Sequence, residues 1–210
     1  MPHDHTHKQH EALTVEDEAG NIEAQIIVDG LQEFLSKKGL LTAREVTSAI
    51  EKLESPGIRL GARVVAKAWT DPNYKQRLHK DGRAAVQALD IPVTEARIIV
   101  VENAPTLHNS ITCTLCSCYP RSILGQPPSC YNSKAYRARS VRKPHRVLSE
   151  FRIELPKDMQ LIVHDGNADM RYLVLPEPPA NAAKHAPVEL EALVSRDHLI
   201  GVTKNIAAQC

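Results

Sequence analysis

The sequence predicts an α+β fold: a helical N-terminal arm followed by a mixed αβ domain that carries a metal-binding cysteine loop. Three observations predict it. Apolar residues recur at helical spacing through roughly the first 90 residues. β-rich apolar runs begin after Ile91-Pro92. Three of the five cysteines fall within the short segment Cys113-Thr114-Leu115-Cys116-Ser117-Cys118. The chain divides accordingly into a flexible His-rich tail over residues 1–20, a helical region over 21–90 and an α+β domain over 91–210.

Through Gly20 the chain is polar and carries His3, His5, His7 and His10. That composition favours a loosely held tail over a weak metal-delivery tract, since nothing in it sets a ligand geometry. From Glu23 to Lys38, the residues Ile26, Ile27, Leu31, Phe34 and Leu35 share one helical face, and Gly39 offers a stop. Thr42-Ala43-Arg44-Glu45 is a capping-box pattern, in which hydroxyl and carboxylate each satisfy a free backbone amide. It opens a second helix through about Glu54, ended by Ser55-Pro56-Gly57. A third helix covers Gly61 to Trp69. Asp71-Pro72 opens a fourth through about Leu89, with Pro72 in the first turn, where its missing N–H is tolerated. The first two helices need not pack on a common core and can form an arm. Strands follow at Arg97–Val101, Leu107–Thr112, Leu161–His164 and Tyr172–Leu175, with turn residues Asp165-Gly166-Asn167-Ala168-Asp169 joining the last two. Tyr136 to Phe151 holds a short helix interrupted at Pro144. No internal repeat is visible.

Hydrophobic residues make up 42% of the 210, enough for a substantial core, but with 4% aromatics that core must rest mainly on Val, Leu, Ile and Ala. A net charge of +1 gives no general pull toward nucleic acid or an anionic membrane, so neither partner is expected. The short basic run from Tyr136 to Lys143 fits an interface or salt-bridging face. No apolar run approaches the ~18–20 residues that span a bilayer. Met1-Pro2-His3-Asp4-His5 lacks the apolar stretch of a secretory signal, and a cytoplasmic location is expected. Nine of the 14 prolines lie in the second half, from Pro120 to Pro187, which suggests a loop-rich surface built to lie against something else. An odd number of cysteines, three of them clustered, argues for a metal or redox site rather than a disulfide framework.

Cys116 and Cys118 are one residue apart, so their thiolates can close small chelate rings on one ion. The backbone nitrogens of Ser117 and Cys118 lie between the two sulfurs. If both amides lose their protons, two sulfurs and two nitrogens enclose the ion in a plane, and Cys113 can turn its sulfur onto the axis. Five donors then come from one loop and leave a sixth octahedral position free. This set disfavours zinc, which prefers four side-chain ligands in a tetrahedron, and suits a small trivalent ion such as Co(III) or Fe(III). Two other readings compete. One is a structural zinc site with His108 as the nearest fourth ligand, although no second Cys-x-x-Cys is present. The other is three ordinary thiols near a strand end. Spacing alone leaves the metal open.

The residues carry more than spacing. The run Cys113-Thr114-Leu115-Cys116-Ser117-Cys118-Tyr119-Pro120, followed by Leu124-Gly125-Gln126-Pro127-Pro128, resembles the metallocentre of nitrile hydratase alpha subunits, a family that also includes the gamma subunit of thiocyanate hydrolase. Ala66-Lys67-Ala68-Trp69-Thr70-Asp71-Pro72, Tyr136-Arg137-Ala138-Arg139-Ser140-Val141-Arg142, Met170-Arg171-Tyr172-Leu173-Val174-Leu175-Pro176 and Leu199-Ile200-Gly201-Val202 extend the resemblance from about Glu23 to about Val202. The resemblance implies that Cys113, Cys116 and Cys118 are thiolate ligands and that Ser117 and Cys118 also bind through backbone nitrogen. It implies a sulfinate at Cys116 and a sulfenate at Cys118, both catalytic. Thr114 is usual in cobalt-type members, so one Co(III) per chain is expected, with Fe(III) the alternative. A small nitrile as substrate, a beta-type subunit supplying arginines to the oxidised sulfurs, and a metal-delivery activator protein complete what the resemblance implies.

Three positions depart from the family pattern. Arg121 stands where many members have Trp near the substrate; it is a candidate pocket residue that could attract an anion, or an interface residue. Cys130 also replaces a usual Trp and is expected to be a buried thiol rather than a ligand, while Cys210 is read as a loose terminal thiol. Residues 181–188 lack the usual Gly-Trp pair. The pair His164-Asp165 is a weak acid–base candidate, common at strand ends without catalysis.

Overall fold

The computed structural model describes residues 22–54, 57–116 and 118–204; the His-rich tail, Ser117 and Cys210 lie outside the described residues. Two helices come first, α1 (Ile22–Lys37) and α2 (Ala43–Glu54). Gly39, at φ +68°, follows α1 in the left-handed conformation that suits a helix stop. The capping box at α2 forms as the pattern predicts: the Thr42 amide donates to Glu45 Oε2 at 2.8 Å, and the Glu45 amide donates to Thr42 Oγ1 at 3.2 Å. The apolar stripe of α1 stays in solvent, with Ile26, Ile27, Leu31 and Phe34 each 55–69% exposed.

Helix α3 (Ile58–Thr70) is the central helix. Its buried face is built from small and β-branched residues, Gly61, Ala62, Val64, Val65, Ala66 and Ala68, which allows close approach on several sides. A Cβ on Gly61 would fall 2.7 Å from the side chains of both Leu124 and Leu199. Asp71 ends α3 and caps α4 (Pro72–Lys80), accepting from the Tyr74 amide at 2.9 Å, with Pro72 in the first turn as expected. The predicted single fourth helix is in fact two, because α5 (Gly82–Gln87) starts afresh after Asp81. Asp81 is extended, at φ −150° and ψ 90°, and its carboxylate accepts from the Ala84 amide at 3.0 Å. Gly82 lies so close to the Ile98 carbonyl that any Cβ would overlap it, so tertiary packing sets the break.

The strands are β1 (Arg97–Glu102), β2 (Leu107–Thr112), β3 (Gln160–Asp165) and β4 (Met170–Leu175), close to the predicted spans. They form two parallel ladders. β1 pairs with β4 in the register Ile99↔Tyr172, and β2 pairs with β3 in the register Thr112↔Asp165. β2 also contacts β4, which brings the ladders together. Between β2 and β3 run α6 (Arg121–Leu124), α7 (Ser129–Asn132), α8 (Lys134–Arg142) and α9 (Pro144–Glu150), the last two separated at Lys143 just before Pro144. After β4, a 3₁₀ turn precedes α10 (Pro187–Leu193) and α11 (Arg196–Ile200).

One principal core joins Val64, Val65, Leu78 and Val86 from the helices to Ile98, Val100, Leu173 and Leu175 from β1 and β4, with Ile123, Leu124 and Leu199 closing it. It is mostly aliphatic, but Tyr74, Tyr119, Tyr131 and Tyr136 are also buried. Among the described residues, no helix is long and apolar enough to cross a membrane.

Candidate metal centre

The cysteine loop leaves the C-terminal end of β2, a strand buried along nearly its whole length although His108, Asn109, Ser110 and Thr112 are polar. Buried polar groups must be paired, and here the pairing makes the strand a rail. Asn109 donates from its backbone to Asn103 Oδ1 at 2.7 Å and from Nδ2 to the Glu102 carbonyl at 2.7 Å. Its Oδ1 therefore accepts from His164 Nε2 at 2.8 Å, which assigns the proton of that imidazole. His108 Nε2 donates to the Gly201 carbonyl at 2.9 Å. Burial lowers the pKa of both histidines and keeps them neutral.

Cys113 is the first residue past β2 and is fully buried; Cys116 is exposed and Cys118 lies between these extremes. The three Sγ atoms all lie within 4.8 Å of one another. Cys113 Sγ is 3.8 Å from Cys116 Sγ, which is 2.6 Å from Cys118 Sγ, and the Cys116 amide donates to Cys113 Sγ at 3.4 Å. Two side chains from elsewhere grip the loop. Asp165, at the end of β3, accepts from the Thr114 amide at 2.8 Å and from Thr114 Oγ1 at 2.6 Å. Tyr131, on α7, donates its hydroxyl to the Cys118 carbonyl at 3.1 Å.

The electrostatics of the loop favour a bound cation. Burial pushes the Cys113 thiol up, but the backbone amides of Cys116 and Cys118 and the neighbouring thiols outweigh it, and the net shift is downward. Cys118 is pushed up to about 12 by burial, by the Cys116 thiol and by the charge on Cys113, with Arg171 pulling the other way. One thiolate thus suppresses its neighbour. Three ionised sulfurs at this separation need a positive charge among them, and thiolate donors suit a soft or trivalent transition metal. The sulfur set fits a metal on these grounds.

The zinc alternative with His108 finds no support. The metal-competent group among the described residues contains Cys113, Cys116 and Cys118 and no histidine. His108 is tied to Gly201 about 16 Å of extended chain upstream of Cys113. Ser117, expected to offer backbone nitrogen, lies outside the described residues. Arg121 is exposed at the start of α6, three residues beyond Cys118. Cys130 is half-buried against the core, where burial raises its thiol, and it does not join the sulfur group. His164 and Asp165 do not work as a pair: one bonds Asn109 while stacking on Tyr172 at 5.1 Å, and the other holds Thr114. Asp165 and Tyr131 were not singled out as loop supports from the sequence. Their signal is the Thr112↔Asp165 register and the placement of α7, which no local pattern encodes.

Comparison with known proteins gives a consistent result. The profile of the nitrile hydratase alpha chain matches residues 22–203. The chain is 41% identical to the low-molecular weight cobalt-containing nitrile hydratase subunit alpha of Rhodococcus rhodochrous, over 87% of this chain and 89% of that one. It is 38% identical to the thiocyanate hydrolase subunit gamma of Thiobacillus thioparus, over 85% and 78%. Among solved structures, it superposes on a double mutant of the Fe-type nitrile hydratase from Comamonas testosteroni Ni1 with a TM-score of 0.82 and 37% identity, covering 90% of this chain and 95% of that one.

Proposed function

This chain belongs to the nitrile hydratase alpha-chain family, a family of enzyme subunits, and from that premise we propose that it is the metal-carrying catalytic subunit of a nitrile hydratase. The observation that carries the reading is the convergence of the Cys113, Cys116 and Cys118 sulfurs within 4.8 Å. The ligands are those three thiolates together with the backbone nitrogens of Ser117 and Cys118. One trivalent metal ion per chain, cobalt in preference to iron because Thr114 occupies the loop, supplies Lewis acidity when bound.

The chain's own residues define the rest. Cys113 closes the buried side of the loop, while the exposed Cys116 and the half-buried Cys118 face the approach side. Substrate therefore comes in over Cys116 and Cys118. With Cys116 as sulfinate and Cys118 as sulfenate, the Cys118 oxygen acts on the nitrile carbon directly or draws a proton from a water that does. The net change is addition of water across the carbon–nitrogen triple bond, giving an amide without any redox step. Oxidised sulfurs carry negative charge and need strong donors. Arginines of a beta-type partner subunit fill that role, and a metal-delivery activator loads the loop.

A second reading is favoured by Arg121. An exposed cation three residues beyond Cys118 suits an anionic substrate, and the thiocyanate hydrolase subunit gamma is among the relatives. The assembled complex separates the two readings in one assay. Offered a small aliphatic nitrile and thiocyanate in parallel, it is expected to form the amide. Carbonyl sulfide and ammonia from thiocyanate, with no amide from the nitrile, would replace the first reading by the second.

A further inference from the structure

We propose that Tyr131 is a positioning residue for Cys118, braced by the buried guanidinium of Arg137, an inference that rests on the metal centre proposed above. Tyr131 is 1% exposed, and its hydroxyl donates to the Cys118 carbonyl at 3.1 Å. That carbonyl belongs to the planar peptide following Cys118, so holding it fixes the backbone frame from which the Cys118 sulfur projects. The ring of Tyr131 is itself fixed, edge-on to Tyr119 with centroids 5.0 Å apart and planes at 71°.

Helix α7, which carries Tyr131, has only four residues and cannot hold itself by its own hydrogen bonds. Arg137 of α8, 6% exposed, reaches back to donate to the carbonyls of Tyr131, at 3.4 Å, and of Asn132. These carbonyls end the helix and have no partner within it. A continuous path thus runs from the Arg137 guanidinium through the end of α7 and the Tyr131 hydroxyl to Cys118. The Thr114 end of the loop is held separately by Asp165. Losing the hydroxyl therefore frees Cys118 while Thr114 stays fixed.

The test uses the complex with its beta-type partner, loaded with cobalt, in three variants: Tyr131→Phe, Arg137→Lys and Tyr74→Phe. The last removes another buried tyrosine hydroxyl, one without a hydrogen-bond partner among the described residues. Circular dichroism follows folding, the sulfur-to-metal charge-transfer band follows the ligand field, and release of cobalt to a chelator follows retention. Tyr131→Phe is expected to fold, to shift the band and to release cobalt roughly tenfold faster, as loss of an outer contact to a ligand typically does. Arg137→Lys, whose ammonium stops short of the point from which Arg137 Nη1 reaches both carbonyls, is expected to move the same readouts less, and Tyr74→Phe to leave them unchanged. A Tyr131→Phe complex matching the unmutated one in band and release overturns the proposal. So does failure of Tyr131→Phe and Arg137→Lys to fold while Tyr74→Phe folds, since that marks a structural role. An unmutated complex that takes up neither cobalt nor iron overturns the metal-centre reading instead, and shows no band in any variant.

Discussion

Cys113 sits where the buried polar strand β2 gives way to the loop, with its sulfur enclosed and the other two sulfurs reaching it from the exposed side. Replacing it by Ser keeps the volume but exchanges a soft donor for a hard one. Metal per chain in the Cys113→Ser complex is expected to fall to about a tenth or less, with activity falling in parallel. Fold stability should change by only about 1 kcal/mol, an ordinary cost for a single conservative substitution. Elemental analysis beside a thermal melt checks both. The three cysteines were legible because their chemistry lies in contiguous residues. Asp165 and Tyr131 were not, because pairing of β2 with β3 and docking of a four-residue helix bring them to the loop from 51 and 13 residues away. Asp165 was visible only as a turn residue and as the weak acid–base partner of His164. Arg121 was legible as a departure, and the structure places it at the surface at the start of α6, three residues beyond Cys118.

Among the elements, those with strong local signals were read closely, and those set by tertiary contact were not. The α2 capping box, Pro72 at the start of α4 and the strand β2 match their signals. The break at Asp81 was missed, because an Asp-Gly inside a helical pattern is ambiguous until Gly82 meets the Ile98 carbonyl. Helices α6 and α7, four residues each, are too short for periodicity to find. Two expectations follow for β2. Gly201, at φ +74°, has its Cα against the Asn109 carbonyl, and a Cβ there would overlap that oxygen. Gly201→Ala is expected to cost about 3 kcal/mol or more, from a strained backbone and a displaced strand together, and a urea titration measures it. His108 and His164, held neutral chiefly by burial, have folded pKa values below the ordinary imidazole value. The unfolded chain then binds more protons in that window. Stability is complete above about pH 6.5, the unfolded value, and is lost as pH falls below it toward the folded values. Unfolding midpoints between pH 8 and 5 should show this decline, and His108→Gln, which can still donate to Gly201, should flatten it.

At the scale of the whole molecule, the core and the arm differ in what completes them. Helices α3 to α5 bury their apolar faces against β1 and β4 within the chain. Helix α1 leaves Leu31 and Phe34 each 55% exposed, in a stripe whose extent marks an interaction surface rather than scattered apolar residues. The stripe is expected to lie against the beta-type subunit of the proposed assembly. Leu31→Ser with Phe34→Ser is therefore expected to weaken the complex about tenfold or more while leaving the melting temperature of the isolated chain unchanged. Sedimentation and calorimetry read the two effects separately. The most direct measurement of the central claim is the metal content of the purified complex, joined to the mass of the peptide spanning Cys113 to Cys118. One cobalt or iron per chain is expected, with two added oxygens at Cys116 and one at Cys118. Stoichiometric zinc on unmodified cysteines would contradict it.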